Sequence, residues 1–233
     1  MFVMVESVNL KSEEVAEKLV EYLKSTNKKF LFISGNGGSG KTELCKVISK
    51  LASKYGSVNV LNMDDFILDI NLRNNAKMTW LDSVGIQQVG RCTSSCMESY
   101  FLKSIKAIIY NLEKGNSCYH WPKRAKSSDE CRLLHGDFFL TIVEGVGTVF
   151  LDKNVDNSVS VFVKCAKDIE ITRRIKRGKY SNEKSSTDVN KMYDERNGQF
   201  KANIEPHIHD YESVLDSMQD YSFNVLRDDN KIF

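Results

Sequence analysis

Short apolar runs that end at glycine or polar clusters alternate along this chain with segments whose apolar residues have helical spacing. Residues 12–23 place apolar side chains three or four positions apart, which predicts an amphipathic helix. Residues 28–34 (KKFLFIS) predict a buried strand that stops at a glycine cluster. A second helix is expected from Gly40, and residues 57–63 predict the next strand. This order indicates a βαβ unit with a parallel sheet.

The alternation continues in the rest of the chain, so we predict an α/β fold. The expected architecture is a doubly wound parallel sheet of about five strands with helices on both faces. The further predicted strands are 138–143, 159–163 and 221–226, the further predicted helices are 98–112 and 168–177, and residues 64–95 have no assignment.

The most specific motif is the segment GNGGSGKT at residues 35–42, between the first predicted strand and the second helix. It matches G-x-x-x-x-G-K-[ST], the phosphate-binding loop (P-loop) of P-loop NTPases. Glycines let backbone N–H groups turn inward, where they and the helix N-terminus hold phosphate oxygens. The lysine is expected to reach the β- and γ-phosphates, and the threonine hydroxyl to ligate Mg²⁺. The predicted ATP-binding residues here are Gly35, Gly37, Gly38, Ser39, Gly40, Lys41 and Thr42, of which Lys41 is also catalytic and Thr42 also a metal ligand.

A second nucleotide-binding pattern overlaps this loop. Gly35, Gly37 and Gly40 also satisfy G-x-G-x-x-G, and an aspartate follows the second strand about where a Rossmann fold places its ribose-binding acid. Adjacent Lys41 and Thr42 are required by the P-loop and have no task in an NAD(P) site. ATP is therefore favoured, and an NAD(P)-binding Rossmann protein remains an alternative.

Carboxylates follow two predicted strands at the edge where parallel α/β sheets bind ligands. Asp64 and Asp65 follow residues 57–63, and Glu144 ends the apolar run at 138–143. Phosphoryl transfer needs a carboxylate that accepts the proton of the acceptor hydroxyl, and Asp64 is the predicted catalytic base. Asp65 is predicted to orient the acceptor, and Glu144 to hold Mg²⁺ through water. The alternative is that both aspartates only cap a loop or helix.

A basic cluster falls in the predicted helix at 168–177. Arg173, Arg174 and Arg177 are spaced to share one helix face, which could close over a triphosphate and stabilise transition-state charge. We predict a lid at about residues 173–188, with Arg177 catalytic and the other two arginines bound to the nucleotide. A solvated basic helix is the alternative.

The segment YHWPKR, at residues 119–124, combines aromatic rings with hydrogen-bond donors. Such rings stack on a base or sugar, and a guanidinium binds hydroxyls or carboxylate. Packing of the rings in the core is the alternative. The residues predicted to contact the substrate are Tyr119, Trp121, Arg124, Asp65 and Phe66.

The motifs GNGGSGKT, LNMDDF, IVEGV and RRIKR, in this order, resemble the uridine kinase-like branch of P-loop kinases, which includes uridine–cytidine and nicotinamide riboside kinases. The resemblance spans roughly residues 28–180. It implies that Asp64 is the catalytic base and that Glu144 assists magnesium, and it places Tyr119 near the family's nucleoside-binding segment. The family's R-R-x-x-R-D lid pattern ends here in Gly178 instead of an acid.

Composition limits the other classes of function. With 41% hydrophobic and 27% charged residues, the 233 residues are expected to fold as a single P-loop kinase domain covering 1–233. A net charge of +2 gives no broad field for nucleic acid, and no apolar run is long enough to cross a membrane. The six cysteines include no CxxC pair, which favours a reduced, cytoplasmic protein.

We therefore expect a cytoplasmic enzyme, an ATP- and Mg²⁺-dependent kinase that phosphorylates a hydroxyl of a small-molecule substrate. Nucleosides and nucleoside-like compounds are candidate acceptors, and neither nucleic acid nor membrane is an expected partner. The sequence leaves the oligomeric state and the acceptor undetermined. The alternatives are a P-loop ATPase or GTPase switch without an acceptor, for which no N-K-x-D motif is found, and a regulatory protein with a degenerate site.

Overall fold

The computed structural model describes residues 8–82, 84–123, 127, 130–153, 155, 157–178 and 186–233. The strands are β1 (Asn9–Leu10), β2 (Phe30–Gly35), β3 (Val58–Asn62), β4 (Lys77–Leu81), β5 (Gln87–Arg91), β6 (Cys118–His120), β7 (Arg132–Leu134), β8 (Leu140–Glu144), β9 (Ser158–Lys164), β10 (Ser213–Ser217) and β11 (Phe223–Asp228). The α-helices are α1 (Ser12–Ser25), α2 (Lys41–Ala52), α3 (Ile70–Asn75), α4 (Leu102–Glu113), α5 (Lys167–Lys176) and α6 (Ser186–Asn203).

The central sheet has the strand order β1-β11-β10-β9-β2-β8-β3. The five strands from β10 to β3 run parallel; β11 pairs antiparallel with β10, and β1 at the edge pairs antiparallel with β11. β2, which leads into the glycine loop, lies between β8 and β9 and is buried at every position. The predicted α/β fold with a parallel sheet is thus confirmed.

Helices cover both faces of this sheet because alternate residues of each strand point to opposite sides. On one face, Leu19 of α1 and Ile48 of α2 pack in one core cluster with Ile33 of β2. On the other face, Ile105 of α4 belongs to a second cluster that contains Phe32. The sheet is therefore doubly wound, as expected. Among the described residues, no helix has both the length and the apolar character needed to cross a bilayer.

The structure corrects the predictions for the last strands. The strand expected at 221–226 exists as β11, but it lies antiparallel between β1 and β10, and β10 supplies the fifth parallel strand. β10 has the sequence SVLDS, so it lacks the long apolar run that is typical of a central strand. The long helix α6 was also not predicted, because its apolar residues have no helical periodicity. The unassigned segment 64–95 contains α3 and the hairpin of β4 and β5.

The end of β2 leads to a stability prediction. A Cβ at Gly35, where φ is +143°, would lie 1.9 Å from the carbonyl oxygen of Val163 in β9. Because that oxygen belongs to the neighbouring strand, we expect Gly35→Ala to lower the free energy of unfolding by about 3 kcal/mol. Gly115 also has a positive φ, +74°, but a Cβ added there would have no atom within 4 Å. Gly115→Ala should therefore cost only about 1 kcal/mol.

Urea unfolding of both alanine variants measures this difference. Equal losses of stability in the two variants would contradict the close approach of β2 and β9 at Gly35.

Candidate active site

The glycine loop connects β2 to α2 and encloses the side chain of Lys41. Gly38 and Gly40 have φ values of +78° and +89°, a left-handed backbone that lets N–H groups turn toward the loop interior. The ammonium of Lys41 donates to the carbonyl oxygens of Gly35 (3.0 Å) and Asn36 (2.5 Å). Burial lowers the pKa of Lys41, and the charge of a nearby carboxylate opposes that effect. An anion bound in the loop would favour the charged form of this lysine.

A chain of hydrogen bonds joins the loop to the ends of two strands. The hydroxyl of Thr42 donates to Oε1 of Glu144 (3.4 Å), and the side-chain amide of Asn62 donates to the same oxygen (2.6 Å). The other end of that amide, Oδ1 of Asn62, accepts from the backbone N–H of Asp64 (2.8 Å). Asn62 and Glu144 are register partners in β3 and β8. The predicted loop, metal and base residues therefore lie together at one edge of the sheet.

Sequence reasoning did not identify Asn62. Its place as the last residue of β3, directly before the two residues Met63 and Asp64 that open the next turn, is a signal that could have found it. Its amide oxygen caps that turn and its amide nitrogen binds Glu144, so one side chain fixes two predicted site residues.

Glu144 and Thr42 have the donor chemistry that Mg²⁺ prefers. Glu144 is only 3% exposed, and burial raises the pKa of its carboxyl, while the charge of Lys41 lowers it. Carboxylate and hydroxyl oxygens suit Mg²⁺, which usually keeps several waters and binds substrate phosphates as well. Among the described residues, no group of three His, Cys, Asp or Glu side chains could hold a metal ion. The side chains present therefore fit a magnesium ion that is bound together with a nucleotide.

Asp64 is solvent-exposed at this edge, and its backbone is fixed by Asn62. Nearby, Tyr100 is buried; burial raises the pKa of its hydroxyl, and the charge of Asp64 raises it further. That hydroxyl donates to the carbonyl oxygen of Ser94 (2.8 Å). A carboxylate exposed beside a phosphate-binding loop is accessible to the hydroxyl of an acceptor.

Asp65 and Phe66, which are predicted to contact the acceptor, contact protein groups in β6 and just after it. Oδ2 of Asp65 lies 3.3 Å from Nε2 of His120, and Oδ1 accepts from the backbone N–H of Lys123 (3.1 Å). Phe66 is buried and stacks on the ring of His120, with centroids 4.9 Å apart. Although burial raises the pKa of Asp65, these hydrogen bonds hold it below its ordinary value. Asp65 and Phe66 thus connect the turn after β3 to β6 and to the residues that follow it.

The aromatic residues predicted to contact the substrate are accessible. Tyr119 in β6 is 69% exposed and Trp121 just after it is 57% exposed, so neither packs in the core. Arg124 lies outside the described residues.

The arginines of α5 point in different directions, which corrects the expectation of one shared face. Arg173 is buried behind the loop, where it donates to the carbonyl oxygen of Gly38 (2.9 Å), the hydroxyl of Ser217 (3.0 Å) and the carbonyl of Met218. Its guanidinium also lies 3.9 Å from the ring centroid of Tyr221. Arg173 thus joins the loop to the last residue of β10 and supports the loop from behind.

Arg174 and Arg177, the other two arginines of the cluster, are less buried than Arg173. Arg174 donates to Glu170 (2.7 Å), and its guanidinium lies against the backbone of Gly37, where a Cβ would approach it to 1.5 Å. Arg177 is exposed at the end of α5. The predicted lid at 173–188 includes residues 179–185, which lie outside the described residues.

The contacts of Asp65 lead to a pH prediction. We expect Asp65→Asn to lower the free energy of unfolding by about 1 kcal/mol near neutral pH, because it weakens the bonds to His120 and Lys123. Since folding lowers the pKa of Asp65 from its ordinary 3.8, this contribution is complete above that pH and disappears as the pH falls through the folded-state value. Urea unfolding across a pH series measures it. A loss that persisted unchanged at about pH 2 would contradict the assignment to an ionised carboxylate.

Comparison with known proteins identifies the fold. No protein-family model and no curated protein matches the chain. Among solved structures it is similar to D-glycerate 3-kinase from Cryptococcus neoformans var. grubii, with a TM-score of 0.58 and 11% identity over 88% of this chain and 94% of that one. It is also similar to phosphoribulokinase from Rhodobacter spheroides, with a TM-score of 0.54 and 12% identity over 81% and 70% of the two chains. These likenesses confirm the expected fold: the chain has the fold of P-loop kinases.

Proposed function

We propose that the protein is an ATP- and Mg²⁺-dependent phosphotransferase that acts on a hydroxyl of a small metabolite. The hydrogen-bond chain from Thr42 through Glu144 and Asn62 to Asp64 carries this proposal. It joins a P-loop threonine, a buried carboxylate and an exposed carboxylate, which are the groups that phosphoryl transfer uses. The similar solved structures, named as kinases of small molecules, support the same class of reaction.

Each residue has a defined role in this proposal. Backbone N–H groups of residues 35–42 and the ammonium of Lys41 bind the phosphates, and Thr42 and Glu144 hold Mg²⁺. The ion neutralises charge on the phosphate oxygens when it is bound. Asp64 orients the acceptor hydroxyl and accepts its proton. Arg174 and Arg177 provide positive charge near the transferred group.

We also propose that residues 1–233 form one kinase domain whose lid lies at about 173–188, and that Tyr119, Trp121 and Arg124 contact the substrate. The exposure of both aromatic rings supports this role. All six cysteines are free thiols, which is consistent with a cytoplasmic location.

The alternatives explain fewer of the observed contacts. An NAD(P) site gives no role to the buried Lys41 inside the loop or to the bond between Thr42 and Glu144. A nucleotide-hydrolysing switch needs a positioned water and gives no role to the exposed carboxylate of Asp64 as an acceptor base. ATP hydrolysis that no added metabolite stimulates would favour the switch.

Substitution of the base separates binding from chemistry. We expect Asp64→Asn to keep the Kd for MgATP within about 3-fold and to reduce transfer by about 1,000-fold, since the amide cannot accept the proton. Lys41→Ala should weaken ATP binding as well as transfer, because it removes the cation enclosed by the loop. Calorimetry measures binding, and ADP release with a panel of hydroxyl-bearing metabolites measures transfer.

Asp137→Asn is the matched control for this test. Asp137 is exposed shortly before β8 begins, at the edge of the sheet opposite Glu144, so its substitution should leave both measurements unchanged. Full turnover by Asp64→Asn would show that Asp64 is not the catalytic base. Equal losses of transfer in Asp64→Asn and Asp137→Asn would show a general effect of negative charge and would contradict a specific role of Asp64.

A second substitution tests the magnesium site. Glu144→Gln keeps an oxygen that can accept from Asn62 but loses the negative charge. We expect ATP binding without metal to be unchanged and the tightening caused by Mg²⁺ to fall by about 10-fold or more. Titration of ATP at several Mg²⁺ concentrations measures this effect. An unchanged response to Mg²⁺ would contradict the assignment of Glu144.

A further inference from the structure

The imidazole of His120 is a buried titratable group that has no role in the reaction as described so far. His120 is the last residue of β6 and is buried, whereas its neighbours Tyr119 and Trp121 are exposed. Successive residues of an extended chain point to opposite sides, so the two aromatic rings face solvent and the imidazole faces the protein. One short segment therefore carries both the proposed acceptor contacts and a histidine that points into the protein.

This imidazole binds the turn that carries the proposed base. Nε2 of His120 lies 3.3 Å from Oδ2 of Asp65. Although burial raises the pKa of Asp65, hydrogen bonds with His120 and Lys123 hold that pKa below its ordinary value, so the carboxylate is ionised near neutral pH. An ionised carboxylate can only accept hydrogen bonds, and Nε2 of His120 therefore carries the hydrogen and donates to Asp65.

The same segment contacts the residues that follow Asp65. The imidazole of His120 stacks on the ring of Phe66, with centroids 4.9 Å apart and 13° between the planes. Three residues along the chain, the ammonium of Lys123 donates to the carbonyl oxygens of Ile67 and of Leu68 (2.9 Å). The end of the turn is thus held against β6 and the residues just after it.

Asp64 and Asp65 are neighbours in a short 3₁₀ helix at Met63–Phe66. With three residues per turn, the side chains of adjacent residues point about 120° apart. The start of this helix is fixed by Asn62, whose amide oxygen accepts from the backbone N–H of Asp64 (2.8 Å). When Asp65 is bound on the protein side, the exposed side chain of Asp64 is directed away from the protein.

We propose that His120 is a positioning residue that, through its hydrogen bond to Asp65, holds the carboxylate of Asp64 in the direction of the acceptor hydroxyl. The inference rests on the proposed function and adds a residue that acts on the base without touching the substrate. Misplacement of a reacting group by about 1 Å can reduce a rate by about 100-fold. The contacts of His120 lie on the turn after β3 and not on the glycine loop, so its effect belongs to kcat and not to the binding of ATP.

Two substitutions separate the hydrogen bond of His120 from its ring contact. His120→Phe keeps an aromatic ring against Phe66 and removes the donor to Asp65, whereas His120→Gln keeps a donor and removes the ring. We expect His120→Phe to reduce kcat about 10- to 100-fold and to keep the Kd for MgATP within about 3-fold. His120→Gln should recover most of kcat. Calorimetry measures Kd, and ADP release with uridine, nicotinamide riboside, glycerate and pantothenate measures kcat for the best acceptor of the four.

A double-mutant cycle shows whether His120 acts through Asp65. In the Asp65→Ala background, His120→Phe should change kcat by less than about 2-fold, because the hydrogen bond that it removes is already absent. His135→Phe introduces the same side chain at an exposed position directly after β7. This control should leave kcat and Kd unchanged.

Thermal melting shows whether each variant is folded, and the loss of kcat in Asp65→Ala carries the test if His120→Phe does not fold. An unchanged kcat in the folded phenylalanine variant overturns this inference and leaves the proposed function standing. A glutamine variant as slow as the phenylalanine variant, or a full further loss in the Asp65→Ala background, overturns it as well. A protein that binds MgATP but releases ADP with none of the four compounds overturns both the inference and the proposed function.

Discussion

The buried carboxylate of Glu144 is the group on which the organisation of this site depends. It is almost fully buried, accepts from Thr42 and Asn62, and interacts with the charge of Lys41. Burial raises the pKa of Glu144 and lowers that of Lys41, so burial disfavours the charged form of both side chains. The opposite charge of the partner favours it. In the proposed reaction, a metal ion would stabilise the first charge and phosphate the second. The two buried charges thus destabilise the protein without ligand, and a bound nucleotide and metal ion would offset this effect.

The central part of the fold could be predicted because its strands are buried on both faces. β2 and β8 are nearly continuous apolar runs, and β9 contains the apolar run Val161–Val163, which the sequence shows directly. β10 is just as buried but contains serine and aspartate, and its place in the sheet depends on hydrogen bonds to β9 and β11. The orientation of β11 likewise depends on its neighbours in the sheet, which the local sequence does not encode.

In the candidate site, too, some residues could be predicted from the sequence and others could not. The glycine loop is a local motif, so its residues could be identified from spacing alone. The direction of Arg173 depends on partners that are distant in sequence, Gly38 and Ser217, and the spacing of arginines does not reveal this. The partner of Asp65, His120, is distant in sequence, and so is Arg196 from its ion-pair partner Glu170. Such contacts form only when the chain is folded.

A crystal structure with Mg²⁺ and a non-hydrolysable ATP analogue tests the central claim most directly. We expect the β- and γ-phosphates inside the loop at residues 35–42, the metal ion near Thr42 and Glu144, and the γ-phosphate facing the carboxylate of Asp64. A nucleotide bound elsewhere, or an Asp64 side chain turned into the protein interior in the liganded state, would contradict it.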